Sequence, residues 1–136
     1  MKTLLVILIV VFGLMLWVRL APTDPAKWHQ VPAARAPGDY PTEGSFTAVR
    51  RITDPTVLDR LKTVALATPR TQILAESDGL VTFVTRSLLW GFPDYTTAQF
   101  DGQRLTIYGR LRFGRGDFGV NRKRITAWLA QLGLAT

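Results

Sequence analysis

The chain contains no cysteine and only one histidine, His29. The first absence excludes a disulfide framework, a thiolate metal site and a cysteine nucleophile. The second excludes a multi-histidine metal centre and leaves few routes to serine–histidine catalysis. Heptads and internal repeats are missing too, so neither a coiled coil nor a repeat array is expected. No pattern in the chain calls for a cofactor or a metal. What is abundant is apolar residues, 47% of 136, against 20% charged. That length sets a prior of one domain.

The apolar residues are unevenly placed. Lys2 precedes an unbroken apolar run from Leu4 to Val18, closed by Arg19. This is the layout of a signal peptide. Cleavage after Ala21 would put Arg19 at the −3 position, which fits badly, and no A-x-A follows soon after. Residues 1–21 are therefore expected to form an uncleaved transmembrane anchor, with a cleaved leader as the competing reading. Thr3 to Ala21 would extend about 28 Å as a helix, against a hydrocarbon core of about 30 Å. Trp17 and Trp28 suit the membrane interface. Lys2 is offset by Arg19 and Lys27, so flanking charge barely orients the segment. The signal-like order favours an exported domain, which in a bacterium means a single-pass inner-membrane protein with its domain in the periplasm. The lipid bilayer is the first expected partner.

Residues 22–44 carry five prolines and no periodic apolar pattern, which predicts an extended linker. His29 lies within it and reads as an interfacial polar residue. From residue 45 to 136 the pattern becomes regular. Ser45 to Ile52 alternates as a strand. Thr53-Asp54-Pro55 opens a helix whose face is Val57, Leu58, Leu61, Val64 and Ala65, stopped by Pro69. Strands follow at Gln72–Glu76 and Leu80–Leu88, joined by Ser77-Asp78-Gly79. Gly91-Phe92-Pro93-Asp94 turns into a strand at Tyr95–Phe100. Asp101-Gly102 leads to another at Gln103–Phe113, with Arg104, Tyr108, Arg110 and Arg112 opposite its apolar face. A glycine loop precedes a last helix carrying Ile125, Trp128, Leu129 and Leu132, ended by Gly133. The order β-α-β-β-β-β-α predicts an α+β domain, an antiparallel sheet covered by two helices.

Charge is concentrated near the end. Arg104 to Arg124 holds seven cations against one carboxylate, Asp117. Such a surface attracts anions: lipid headgroups, phosphorylated or acidic ligands, or an acidic protein patch. Arg110, Arg112, Arg115, Asn121, Arg122 and Arg124 are the candidate binding residues. No recognition-helix or aromatic ribonucleoprotein signature points to nucleic acid. Gly114 to Gly119 spells G-x-G-x-x-G, but a dinucleotide fold needs a further parallel strand and an acid about twenty residues on. Neither follows. Gly114 and Gly119 are thus expected to shape a strand-to-helix turn. Cations at the start of the last helix oppose its dipole, so Asp117, Asp94 or an external anion should compensate. Asp94 and Asp117 could form a catalytic carboxylate pair. Nearby arginines would depress both pKa values, and structural pairing with Arg112, Arg122 or Arg124 is simpler. No catalytic residue is assigned.

The stretch Leu88-Leu89-Trp90-Gly91-Phe92-Pro93-Asp94, followed by Arg110 to Ile125 with its Asp-x-Gly-Val-Asn-Arg-x-Arg core, resembles the domain-of-unknown-function family 1499. The resemblance covers roughly Ser45 to Leu132. It implies a small bacterial or plastid domain, often membrane-tethered, with no established activity, and marks Phe92, Pro93, Asp94 and Asp117 as motif positions. The family pattern places serines before the two strand arginines, where this chain has Gly109 and Leu111. The expected role is a membrane-anchored binding or accessory module with an anion-attracting surface. The alternatives are a subunit docking on an inner-membrane complex, and a hydrolase using Asp94 and Asp117 on an anionic substrate.

Overall fold

A computed structural model describes residues 1–135; Thr136, the last residue of the expected domain, lies outside the described residues. The N-terminal run forms α1, Lys2–Leu20. It is apolar on every side and almost wholly exposed, and it is long and apolar enough to serve as a membrane anchor or a signal sequence.

The segment expected as an extended linker is ordered and contains both a helix and a strand. It opens with a short helix, α2, Pro25–Trp28, capped by Asp24, whose carboxylate accepts from the Ala26 amide at 3.1 Å. It ends in strand β1, Gly38–Pro41, which pairs antiparallel with β2, Ser45–Arg51. Arg50 fastens this edge, bonding Asp39 at 2.8 Å and the Leu134 carbonyl at 3.0 Å. Proline-rich sequence carries no periodicity, yet one short edge strand needs little.

Beyond β1 the predicted order holds. Helix α3, Val57–Leu66, follows Asp54, whose Oδ1 accepts from the Thr56 amide at 2.9 Å. Strands β3 (Thr71–Ser77), β4 (Leu80–Arg86), β5 (Pro93–Phe100) and β6 (Arg104–Leu111) lead to α4, Val120–Gln131. The sheet has six strands in the order β1-β2-β6-β5-β4-β3, every neighbour antiparallel. Because β2 pairs with β6, Ser45 sits opposite Arg110.

Helices α3 and α4 cover one face. Phe46, Ala48, Phe83, Ala98, Leu105 and Ile107 meet Leu61, Ile125, Trp128 and Leu129 in a single core. Trp128 meets Phe83 edge to face at 5.6 Å and donates its indole N–H to Thr68. Gly109 lets α4 approach: a Cβ there would lie 2.7 Å from Asn121 Oδ1 and 2.9 Å from Ile125 Cδ1. A serine in its place would require the Asn121 and Ile125 side chains to shift.

Candidate functional site: a latched segment and a carboxylate–arginine chain

Alternation along β5 and β6 turns Tyr95, Thr97, Tyr108 and Arg110 toward the face that the helices leave bare. The segment after α1 lies across that face. Trp28 stacks on Tyr95, with centroids 4.2 Å apart and planes at 24°. The Trp28 carbonyl accepts from Thr97 Oγ1 at 2.9 Å and from the Arg110 guanidinium. His29 bonds Thr82 Oγ1 through Nδ1 and Ser77 Oγ through Nε2, each at 2.8 Å. It therefore ties this segment to β3 and β4. Arg112 donates to the Pro22 carbonyl at 2.6 Å and to Thr23 Oγ1 at 2.9 Å.

Arg110 is 7% exposed. It also bonds Thr97 Oγ1 at 2.8 Å and lies against the faces of Trp28 and Tyr108. No carboxylate lies within 4.0 Å of it among the described residues. Burial pushes its pKa down to about 10, partly offset by Tyr108 and Tyr95, so it stays charged at neutral pH. A cleft of about 350 Å³ opens beside it, lined by Lys27, Trp28, Gln30, Pro32 and Tyr108. Carbonyls, aromatic faces and hydroxyls solvate this cation in place of an anion.

The remaining candidates lie on the other side of the sheet. Asp117 organises the turn into α4: its Oδ1 accepts from the Gly119 amide at 2.9 Å, and its Oδ2 from the Asn121 amide at 3.0 Å and Asn121 Nδ2 at 2.8 Å. It supplies the negative charge that the helix dipole asks for. Gly119 at φ 76° provides the left-handed residue needed there. Asn121, fully buried, passes the chain on by accepting from Arg124 at 3.0 Å, and Arg124 bonds Asp94 at 3.3 Å. Arginines are expected to depress both carboxyl pKa values; only Asp117 is lowered, and by hydrogen bonds rather than by an arginine. Asp94 is raised, first by burial and further by Asp117, against the pull of Arg124. Burial would raise Asp117 too, but the bonds from Asn121 and Gly119 outweigh it and lower its pKa.

The six candidate binding residues thus do not form one surface. Arg110 and Arg112 sit under the latched segment, while Asn121 and Arg124 are locked into the carboxylate chain. Arg122 lies over the Phe46 ring at 5.7 Å, beside a cleft of about 370 Å³ shared with Glu43, Asp117 and Gly119. Arg115 and Gly114 are exposed in the loop before α4. Pro93 and Asp94 open β5 rather than preceding it, and Phe92 packs between Trp90 and Phe113. Sequence reasoning missed Trp28, Tyr95, Thr97 and His29 as a set. The only signal was the pairing of an aromatic and a histidine in an otherwise proline-rich stretch.

A family model described as "Protein of unknown function (DUF1499)" matches residues 20–132, most of the chain. No curated protein matches it at a significant level.

Proposed function

We propose that this chain, which belongs to the family DUF1499, is a single-pass membrane-anchored accessory module that binds rather than catalyses. Its domain stands in a fixed orientation on the periplasmic face of a bacterial inner membrane. The observation that carries this reading is the continuity between α1 and the domain. Val18, inside α1, is only 3% exposed. Trp17 packs on Phe113 at 5.7 Å, and Arg19 donates to the Leu89 carbonyl at 3.1 Å. A leader removed after export has no need to pack into the mature fold.

Binding is favoured over hydrolysis because both candidate carboxylates are spent on structure, Asp117 on the start of α4 and Asp94 on Arg124. Docking onto a larger inner-membrane complex is a second reading. It is supported by Phe118, fully exposed at φ 52° beside the cations of α4. A side chain held in that conformation and offered to solvent suits a partner's surface.

The test is topology together with processing. Alkaline phosphatase fused to the C-terminus should be active, and the membrane-extracted chain should retain residues 1–21. An inactive fusion, or a mature chain starting beyond Leu20, would overturn the reading.

A further inference from the structure

Three arginines that no sequence motif connects meet where α1 joins the domain. Arg19 lies in the last turn of α1, Arg70 precedes β3, and Arg86 ends β4. With Gln72, Val84 and Ser87 they line a cleft of about 210 Å³. Each is held by a backbone carbonyl: Arg19 by Leu89, Arg70 by Arg86 at 2.9 Å, Arg86 by Gly91 at 2.9 Å. None has a carboxylate within 4.0 Å among the described residues. A guanidinium carries five N–H donors, so most of their donors remain unspent. Three like charges in one cleft repel, and carbonyl dipoles do not neutralise them.

Two further observations mark the cleft as a built feature. Arg70 has φ 56°, a left-handed backbone that is strained for a residue with a side chain. Gly91 leaves its backbone open to Arg19: a Cβ there would stand 2.9 Å from Arg19 Cγ and 3.0 Å from Cζ. Beside the cleft, Leu88 and Leu89 project 75% and 67% exposed. Trp17, Phe113, Phe92 and Trp90 form a run of neighbouring rings, with centroids 5.7, 6.2 and 5.8 Å apart in turn. Apolar tips, aromatic rings and arginines together are the composition of a headgroup-depth surface.

We infer that the Arg19–Arg70–Arg86 cleft binds the phosphate of an anionic phospholipid in the leaflet from which α1 emerges, while Leu88 and Leu89 enter its acyl region. Guanidinium forks match phosphate oxygens in pairs. The small volume suits a headgroup rather than a drug-sized ligand, whose pockets are roughly 300 Å³ or more. The inference rests on α1 being a retained anchor, which alone fixes Arg19 at headgroup depth.

The test is native mass spectrometry of the full chain in detergent, offered equal phosphatidylglycerol and phosphatidylcholine with matched acyl chains. Phosphatidylglycerol should be retained about tenfold over phosphatidylcholine, and an Arg70→Gln/Arg86→Gln variant should lose that preference. Gln72→Glu, which leaves every arginine in place and supplies an internal anion, should lose it too. Its unchanged melting temperature separates lost binding from lost folding. Arg51→Gln/Lys123→Gln, removing two exposed charges elsewhere, should keep the preference. Equal retention of the two lipids overturns the inference, as does a preference surviving Gln72→Glu and the double variant. Displacement of the lipid by equimolar inorganic phosphate would do so as well, by making this a free-anion site. Failure of the anchor reading shows separately in the same spectra, as a mass lacking residues 1–20.

Discussion

Replacing Trp28 with alanine tests whether the segment after α1 belongs to the domain. The indole stacks on Tyr95 at 4.2 Å and lies 5.4 Å from the Arg110 guanidinium. An aromatic pair of this kind contributes about 0.5–1.5 kcal/mol beyond its buried area, and a partly desolvated cation–π contact about 1 kcal/mol. Trp28 is half-buried, so the cost falls below the ~3–5 kcal/mol of a fully buried tryptophan. The expected loss is about 2–3 kcal/mol. For a domain near 100 residues this lowers Tm by about 10 °C. Circular dichroism of the detergent-solubilised chain reads this without depending on tryptophan emission. Trp28→Phe, which keeps a ring over Tyr95, should recover roughly half of the loss. A Trp28→Ala shift below about 2 °C would refute the reasoning, since a tethered but unpacked segment loses nothing when its tryptophan is removed.

Asp117→Ala should cost about 2–4 kcal/mol, combining a lost helix cap with a buried Asn121 amide left without its acceptor; chemical denaturation measures it. Because hydrogen bonds hold the Asp117 pKa below the ordinary carboxylate value, its contribution is complete at neutral pH and disappears as pH falls below about 4. Asp94, raised by burial, works in the opposite sense: its ionisation weakens the fold as pH rises through and just above that range. The acid limb of Tm against pH should therefore flatten in Asp117→Asn and steepen in Asp94→Asn. Gly109→Ala should cost about 1–3 kcal/mol through overpacking against Asn121 and Ile125; a melting temperature equal to wild type would show that α4 sits farther from β6 than described.

The parts of the fold that were legible are those written as periodicity. Leu105, Ile107 and the arginines opposite them announce β6, and Ile125, Trp128 and Leu129 announce the buried stripe of α4. Asp117 could be named as a compensating anion because a cationic first turn needs one. The latch could not be read. Its acceptors are the Pro22 and Trp28 carbonyls, which any residue would supply. For the same reason alternation puts Arg110 on the correct face but does not disclose its burial, since what covers that face is a stretch with no pattern of its own. Asp94 could be paired with an arginine in principle, but only the seating of α4 over Gly109 selects Arg124 and desolvates the carboxylate enough to raise its pKa. Arg19, Arg70 and Arg86 are dispersed through the chain, and topology alone assembles them.

The central claim is that the chain between α1 and β1 is latched to the sheet, making anchor and domain one body. The single histidine offers the most direct measurement. With nitrogen-15 histidine, the full chain in nanodiscs yields one imidazole, which can only be His29. Both ring nitrogens should report hydrogen bonds, and Ser77→Ala and Thr82→Val should each shift the nitrogen they face. A histidine spectrum matching a free peptide and indifferent to both substitutions would contradict the account.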